Sequence, residues 1–213
     1  MQLRMHTPVH GVFIAVLFAA ALMAVVYMAA WSAPPYEPEQ PMPFSHATHA
    51  GRLGMDCLAC HTGAMRSGVA GLPHAGACFV CHRHILPDDP RLRPLREEVS
   101  PDFSGRAGKP VEWVRVYKLP DFVKFDHSAH LTRGVSCMAC HGAVARMERI
   151  SAAPCLRMRD CVSCHQSPRG IRPLEEVSSS GYDDSSPESI FLSEQLIHRW
   201  NIAPSANCSV CHY

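Results

Sequence analysis

The stretch Cys57-Leu58-Ala59-Cys60-His61 decides the fold of this chain, because its Cys-x-x-Cys-His pattern is repeated along the sequence. Two cysteines, separated by two residues and followed directly by a histidine, occur five times in the 213 residues. In chain order, motifs 1 to 5 are Cys57–His61, Cys78–His82, Cys137–His141, Cys161–His165 and Cys208–His212. Only about 0.04 such runs are expected by chance at this cysteine and histidine content. The repetition therefore indicates one specific chemistry.

The spacing suits covalent attachment of haem c. Two thiols a short turn apart can bond the two vinyl groups of one porphyrin, and the next residue then presents its imidazole to the iron. We therefore predict five covalently bound haems c. The predicted tethers are Cys57, Cys60, Cys78, Cys81, Cys137, Cys140, Cys161, Cys164, Cys208 and Cys211, and the predicted proximal iron ligands are His61, His82, His141, His165 and His212.

Zinc binding and disulfides are the alternative interpretations of these cysteines. Zinc sites usually combine two Cys-x-x-Cys pairs, but five pairs do not divide evenly, and zinc gives no reason for a histidine after every second cysteine. A disulfide framework would not need one tight spacing repeated five times. The eleventh cysteine, Cys155, lies outside the motifs; we interpret it as a free thiol and assign it no role.

The composition favours an architecture that cofactors organise. The chain has 18 Pro and 13 Gly, and much of its aliphatic content lies in the first 31 residues, so the remainder is loop-rich. The predicted fold class is a multihaem cytochrome c, mostly irregular with short helices around covalent haems, plus one N-terminal transmembrane helix. The formal charge of +1 omits the haem propionates, which would make the assembled protein negative and argue against a nucleic-acid partner.

An apolar run near the N-terminus predicts a membrane anchor. Val12 to Trp31 are twenty consecutive apolar residues, enough for a helix to cross roughly 30 Å of hydrocarbon. Arg4 precedes the run, so the positive-inside rule predicts a single-pass protein of the bacterial cytoplasmic membrane with its haem domain on the periplasmic side. A cleaved signal peptide is the alternative, although its apolar region is normally shorter and the exit near Pro34 offers poor cleavage geometry.

An internal duplication sets the predicted domain boundaries. Phe44–His49 precedes motif 1 and Phe125–His130 precedes motif 3, both with the pattern Phe-x-His-x-x-His, and similar tails, Arg93–Ser100 and Arg172–Ser178, follow motifs 2 and 4. We therefore predict a signal-anchor (1–34), a Pro-rich spacer (35–43), di-haem module 1 (44–110), di-haem module 2 (111–178) and a C-terminal helix with the fifth haem (179–213).

Two regular elements are predicted between the motifs. The β-branched alternation of Val111–Leu119 predicts a short strand, which packs against a haem or offers a docking edge. Ser186-Pro187-Glu188 is typical of a helix start, and the helix is expected to run to about Trp200 with Ile190 and Ile197 on the same face.

Histidines outside the motifs supply candidate distal iron ligands. His6 and His10 precede the apolar run, which leaves His46, His49, His74, His84, His127, His130 and His198 for five irons. The two imidazoles of each Phe-x-His-x-x-His pair lie close enough to serve two neighbouring haems, so His46, His49, His127 and His130 are the predicted distal ligands of four haems. For the remaining iron, Met158 would give a haem of higher potential and His198 another bis-histidine haem.

The segments that connect the motifs resemble those of a known family. The matching stretches are Pro43–His46, His49–Gly51, Trp113–Val116, Leu119–Asp121, Phe125–His130 and Leu156–Met158. With these stretches, the N-terminal helix and the C-terminal motif, nearly the whole chain resembles the pentahaem cytochrome subunit of alternative complex III, a bacterial quinol-oxidising respiratory complex. Arg159 and Asp160 depart from the Gly and aromatic residue of that pattern.

This resemblance implies an electron-transfer subunit with no catalytic residues of its own. Its expected partners are an iron-sulfur subunit and integral membrane subunits of a quinol-oxidising complex, and it would pass quinol-derived electrons to a cytochrome c or a terminal oxidase. The resemblance also favours Met158 as the fifth distal ligand. A stand-alone membrane-anchored multihaem quinol dehydrogenase is the main alternative. A haem enzyme acting on nitrogen or sulfur oxyanions is a further one, but it would want an open iron that seven spare histidines make unnecessary.

Overall fold

The computed structural model describes residues 8–31, 35–98, 111–153, 156–179, 181 and 183–213. These residues belong to two compact units, Met1–Pro35 and Tyr36–Tyr213. His6, Cys155 and the end of module 1 after residue 98 lie outside the described residues.

The described residues of the first unit form one helix, α1 (Pro8–Trp31), with no acidic residue in its first turn and no basic residue in its last turn. Its stretch Gly11–Ala29 has a mean hydropathy of 2.7 and is long enough to cross a membrane, since a helix rises about 1.5 Å per residue. The helix is therefore compatible with the predicted anchor. A signal sequence near the N-terminus would pass the same test of length and hydropathy.

The second unit is built from short helices joined by irregular segments. Its α-helices are α2 (Ala75–His82), α3 (Arg93–Glu98), α4 (His127–Leu131), α5 (Cys137–His141), α6 (Met158–Gln166), α7 (Pro187–Arg199) and α8 (Cys208–Cys211). A π-helix spans Ala47–Arg52, and 3₁₀ turns span Cys57–Ala59, Pro90–Leu92 and Val144–Arg146. The described residues form no named strand, only isolated bridges between Val123 and His212 and between Val135 and Ile171.

Polar side chains directly before three of the motifs start their short helical turns. Asp56, Ser136 and Asn207 each accept a hydrogen bond from the backbone N–H two residues ahead. These are N-cap contacts, which satisfy a donor that the first helical turn leaves unpaired. Motifs 1, 3 and 5 thus fold into the same kind of tight turn, which brings both cysteines and the histidine together.

The apolar core of the second unit is small. The buried hydrophobic residues among those described are Met42, Ala64, Ala75, Leu95, Leu131, Ile171, Val177 and Leu196. One cluster joins Met42, Ala75 and Leu95, with Val111 and Trp113 packed against it. Eight buried apolar side chains are few for a unit of this size, because packed apolar side chains are the main stabilising contribution in ordinary domains. Bulky covalent cofactors would supply the missing apolar contact area.

The predicted strand at Val111–Leu119 is wrong. The segment is irregular, and the amide of Gln40 takes the place of a neighbouring strand: its Nε2 donates to Val114 O, and its Oε1 accepts from Val114 N, both over 3.0 Å. Trp113 Nε1 donates to Pro73 O. The segment therefore packs against the start of α2, and its β-branched residues reflect that contact.

The predicted C-terminal helix is confirmed as α7, with a different buried face. Ser186 caps it by accepting from Ser189 N. The buried residues are Ser189, Ser193 and Leu196, whereas Ile190 is 49% exposed. The serines are buried because they bind groups inside the unit; Ser193 Oγ, for example, accepts from Ile171 N over 3.0 Å.

A buried ion pair joins α7 to the start of motif 3. The side chain of Arg172 is 3% exposed and donates to Asp184 Oδ1 over 2.8 Å and to Ser189 Oγ over 2.7 Å. Ser136, which caps α5, donates to Asp184 Oδ2. Each charged group thus has several polar partners, as a buried ion pair requires.

Candidate haem centres

Burial separates the histidines into two groups. The five motif histidines and the four histidines of the Phe-x-His-x-x-His pairs are half-buried, whereas His74, His84 and His198 are exposed. An iron ligand inside a haem pocket is screened from solvent by the porphyrin and the chain. The half-buried group contains nine of the ten predicted histidine ligands.

The two Phe-x-His-x-x-His segments have the same local geometry. Phe44 meets His46 edge-on at 88° and stacks on His49 at 22°. Phe125 meets His127 at 85° and stacks on His130 at 28°. One phenylalanine ring thus separates two imidazoles and turns them in different directions. The sequence duplication is therefore also a duplication of side-chain arrangement.

Backbone carbonyls hold the Nδ1 atoms of six histidines. His49 and His130 each contact the carbonyl four residues earlier, Ser45 O and Asp126 O. The other contacts are His61 to Gly71 O, His82 to Ile85 O, His127 to Gly68 O and His165 to Ser205 O. A carbonyl can only accept, so Nδ1 carries the proton and Nε2 is left with the lone pair that binds a metal.

Three distal candidates face three motif histidines at one spacing. The ring centres of His49 and His82 are 6.1 Å apart, those of His130 and His165 6.1 Å, and those of His127 and His141 6.4 Å. Metal–imidazole bonds are about 2 Å long, so two imidazoles on opposite sides of one metal have ring centres roughly 6 Å apart. The three pairs therefore fit one haem iron each.

His46 is the fourth distal candidate, and it lies near His61. Burial, followed by the nearby His61 and His49, lowers the pKa of His46 to about 4, so its imidazole is neutral near pH 7, as a metal ligand must be. His46 Nδ1 is the one buried side-chain N or O atom without a hydrogen-bond partner in the described part of the chain. Burial and the nearby His127 likewise lower the pKa of His141 to about 4.

Motif 5 is held by backbone contacts from the segment before Phe125. Lys124 N donates to Cys211 O, and Tyr213 N donates to Phe122 O. The Phe122 ring stacks on His212 with centres 5.8 Å apart. Of the two candidates for this iron, Met158 is 69% exposed at the first position of α6, and His198 is exposed in the last turn of α7. Both candidates are therefore exposed side chains at a helix end.

The positions of the motif cysteines also bear on the two alternatives, zinc binding and disulfides. In the described part of the chain, no three His, Cys, Asp or Glu side chains converge as ligands of a single metal ion, and none of the ten motif cysteines is in a disulfide. A haem tether needs two free thiols and one imidazole at each motif. All five motifs meet that requirement.

Sequence patterns missed the carbonyls that orient the histidines. Gly68, Gly71, Ile85 and Ser205 lie in loops without a motif, and any residue type carries a carbonyl. Gly71 has a φ of +81°, a conformation that favours glycine. The glycine at position 71 can suggest a turn from sequence, but it does not identify the histidine that the Gly71 carbonyl contacts.

Comparison with known proteins gives two matches. Residues 123–213 match the protein family described as cytochrome c7 and related cytochrome c. A protein of Nitratidesulfovibrio vulgaris (strain Hildenborough) named "Menaquinone reductase, multiheme cytochrome c subunit" is 34% identical over 128 residues, which cover 58% of this chain and 57% of that protein. This chain thus spans little more than half the length of that relative. Short helices and irregular segments around repeated haem-attachment motifs, with one apolar N-terminal helix, make this a multihaem cytochrome c fold.

Proposed function

We propose that this chain is the electron-transfer subunit of a membrane quinone-linked oxidoreductase. The observation that carries the proposal is the set of facing imidazoles at 6.1, 6.1 and 6.4 Å. A haem held on both sides by imidazole has no open iron position for a substrate, so it suits electron transfer. Haem supplies one-electron redox chemistry when bound, and the residues of this chain fix where it lies.

Each group of residues has a distinct role in this proposal. The ten motif cysteines would hold five haems covalently, and the five motif histidines would each bind one iron. His46, His49, His127 and His130 would be the second ligands of the irons that His61, His82, His141 and His165 bind, respectively. The Nδ1 contacts fix the tautomer and the ring orientation of the ligands that have them.

The fifth iron takes either Met158 or His198. The Leu156-Arg157-Met158 segment supports Met158, and the position of His198 on α7, whose end at Trp200 lies beside Gly134 in module 2, supports His198. A thioether ligand favours the ferrous state more than imidazole does. Met158→His would therefore lower one midpoint potential if Met158 is the ligand and leave all five unchanged if it is not.

The proposed partners follow from the anchor and the relative. With α1 in the bacterial cytoplasmic membrane and the haem unit on the periplasmic side, the chain would sit beside integral membrane subunits and an iron-sulfur subunit. The relative is named as a subunit of a menaquinone reductase, which supports a multisubunit quinone complex. A cytochrome c or a terminal oxidase would be the soluble or downstream partner, and the propionates make nucleic acid an unsuitable one.

Two directions of electron flow are candidates. The resemblance to the alternative complex III subunit favours flow from quinol to a downstream carrier. The name of the relative favours flow toward menaquinone. Bis-histidine haems permit both directions, since the direction depends on the potentials of the two partners.

Membranes with and without this chain test the proposal. Deletion should abolish electron transfer between a quinol analogue and the downstream carrier, measured in both directions by haem absorbance. Restoring the chain as the His84→Ala variant should restore the rate, because His84 is exposed and has no ligand role here, whereas His130→Ala should restore less. An unchanged rate after deletion contradicts the proposal. A purified, isolated chain that oxidises the quinol at the membrane rate would instead make it a stand-alone quinol dehydrogenase.

A further inference from the structure

Each module binds the other through backbone hydrogen bonds at equivalent positions. Ala47 N, beside His46, donates to Met147 O over 2.8 Å, and Ser128 N, beside His127, donates to Ser67 O over 3.3 Å. Met147 and Ser67 occupy equivalent places, each six residues after the histidine of motif 3 or motif 1. The loop after the first motif of each module therefore holds the histidine segment of the other module.

Close backbone approach supports the same pairing. Gly51 lies against the carbonyl of Ala145, with no room for a Cβ atom between them. On the opposite side, His127 Nδ1 contacts Gly68 O over 2.8 Å. Both contacts join module 1 to module 2 beside a distal histidine, and both depend on backbone atoms that the fold brings together.

One segment anchors motifs 1 and 3 side by side. Cys57 N donates to Ser178 O over 3.2 Å, and Cys137 N donates to Val177 O over 3.0 Å. Ser178 Oγ also donates to Asp56 Oδ2 over 2.7 Å. Consecutive carbonyls thus hold the backbone N–H groups of the first cysteine of each module.

We infer that the two modules meet head to head through motifs 1 and 3, so that the five haem sites follow the spatial order 2, 1, 3, 4, 5. This inference rests on the proposed function in that the motifs carry haems. The adjacent carbonyls of Val177 and Ser178 bind the backbones of Cys137 and Cys57, which makes sites 1 and 3 neighbours. Within each module, the Phe-x-His-x-x-His pair joins site 1 to site 2 and site 3 to site 4.

Contacts between motifs 4 and 5 complete the order. His165 Nδ1 contacts Ser205 O over 2.7 Å, three residues before Cys208. Sites 2 and 5 are then the two ends of the series. Sequence order alone would have placed site 1 at one end.

Proton NMR of the reduced, full-length holoprotein in detergent tests the order. Ferrous low-spin haems are diamagnetic, so nuclear Overhauser effects between thioether-bridge protons of different haems report which tethers touch. We expect such effects between the haems of motifs 1 and 3 and none between those of motifs 2 and 3. His46→Ala and His127→Ala assign the signals, since each changes the shifts of one haem. Contact between haems 2 and 3, without contact between haems 1 and 3, overturns the inference.

A matched glycine pair gives a second measurement. Gly51→Ala should weaken the effects between haems 1 and 3, because its Cβ pushes against the Ala145 carbonyl. Gly181→Ala should leave them unchanged, since among the described residues the added Cβ would meet Ser179 Oγ alone within 4 Å, at 3.7 Å. Nuclear Overhauser effects of equal strength in the two variants would contradict the head-to-head contact. Because no quinone or partner is present, a failure here is separate from a failure of the quinone-linked function, which deletion in membranes measures.

Discussion

At the scale of single residues, the orientation of each imidazole matters as much as its identity. The Nδ1 atoms of three motif histidines and three distal candidates contact backbone carbonyls. Such contacts choose which nitrogen is free for iron and raise the basicity of the ligand. Exposed histidines such as His74 and His84 carry the same ring without this support. Residue type alone therefore does not distinguish a ligand from a surface histidine.

Removal of a distal histidine should open one iron. We expect His46→Ala, His49→Ala, His127→Ala and His130→Ala each to convert one low-spin haem to a high-spin form, read from the absorbance and the binding of carbon monoxide. His84→Ala is the control, since its ring is exposed. Low-spin spectra for all five haems in any of the four variants would exclude that histidine as a ligand.

The angles between facing imidazoles should be visible by electron paramagnetic resonance. The planes of His127 and His141 differ by 4°, whereas those of His49 and His82 differ by 66°. Parallel planes separate the two iron orbitals that interact with the rings, and crossed planes leave them nearly equal in energy. We expect a rhombic signal from the first haem and the signal of larger maximum g value from the second.

Ligand variants connect each signal to its haem. His127→Ala should remove the rhombic signal, and His49→Ala should remove the low-field signal. Persistence of the low-field signal in His49→Ala would contradict the crossed arrangement of that pair.

At the scale of elements, the matching tails of the two modules have different structures. Arg93–Glu98 forms α3, whereas the equivalent residues after Arg172 form turns. Arg93 is an exposed partner of Glu97, but Arg172 is buried against Asp184 and Ser189. The difference arises because Asp184 and Ser189, which bind the Arg172 side chain, come from the segment after module 2. Because that segment places the carboxylate of Asp184 beside position 172, the buried side chain there needs a positive charge to pair with it.

Removing the buried arginine should destabilise the haem unit. Arg172→Met leaves Asp184 without its cation, and breaking a buried pair costs roughly 3–5 kcal/mol. Arg93→Met, at the equivalent position of module 1, should cost at most about 1 kcal/mol because its pair is exposed. Guanidinium unfolding followed by circular dichroism measures both changes. Equal losses would show that burial of the Arg172 pair has no effect on stability.

The N-terminal helix should remain part of the mature chain. The apolar stretch Gly11–Ala29 is long enough to span the hydrocarbon region, and a signal peptide normally has a shorter apolar region. We expect N-terminal sequencing of the purified protein to begin at or near Met1 and the chain to stay in the membrane fraction after alkaline washing. A sequence that begins near Ala33 would identify α1 as a cleaved signal.

At the scale of the whole molecule, five intact motifs predict five haems. The intact mass of the purified chain should exceed the polypeptide mass by five haem groups, and a pyridine haemochrome assay should give the same ratio. Because the tethers are covalent, acid acetone should extract none of them. Four or fewer haems after full maturation would contradict the prediction.

Sequence patterns predicted the attachment chemistry but not the arrangement of the modules. The motifs are local, so their spacing alone identified them. The pairing of His49 with His82, or of Cys57 with Cys137, depends on loops that meet through backbone carbonyls, which all residue types share. The strand prediction at Val111–Leu119 failed for a related reason: one side chain, Gln40, replaced the expected partner strand.

The anchoring of motifs 1 and 3 by Val177 and Ser178 has a consequence for biogenesis. A ribosome makes the chain from its N-terminus, so both motifs and motif 4 are complete before the anchoring carbonyls exist. Covalent attachment requires that an enzyme reach each Cys-x-x-Cys-His run while it is still extended. The placement of the anchor after the fourth motif therefore keeps the two central sites accessible during synthesis, and only the arrival of residues 177–178 brings their cysteines together.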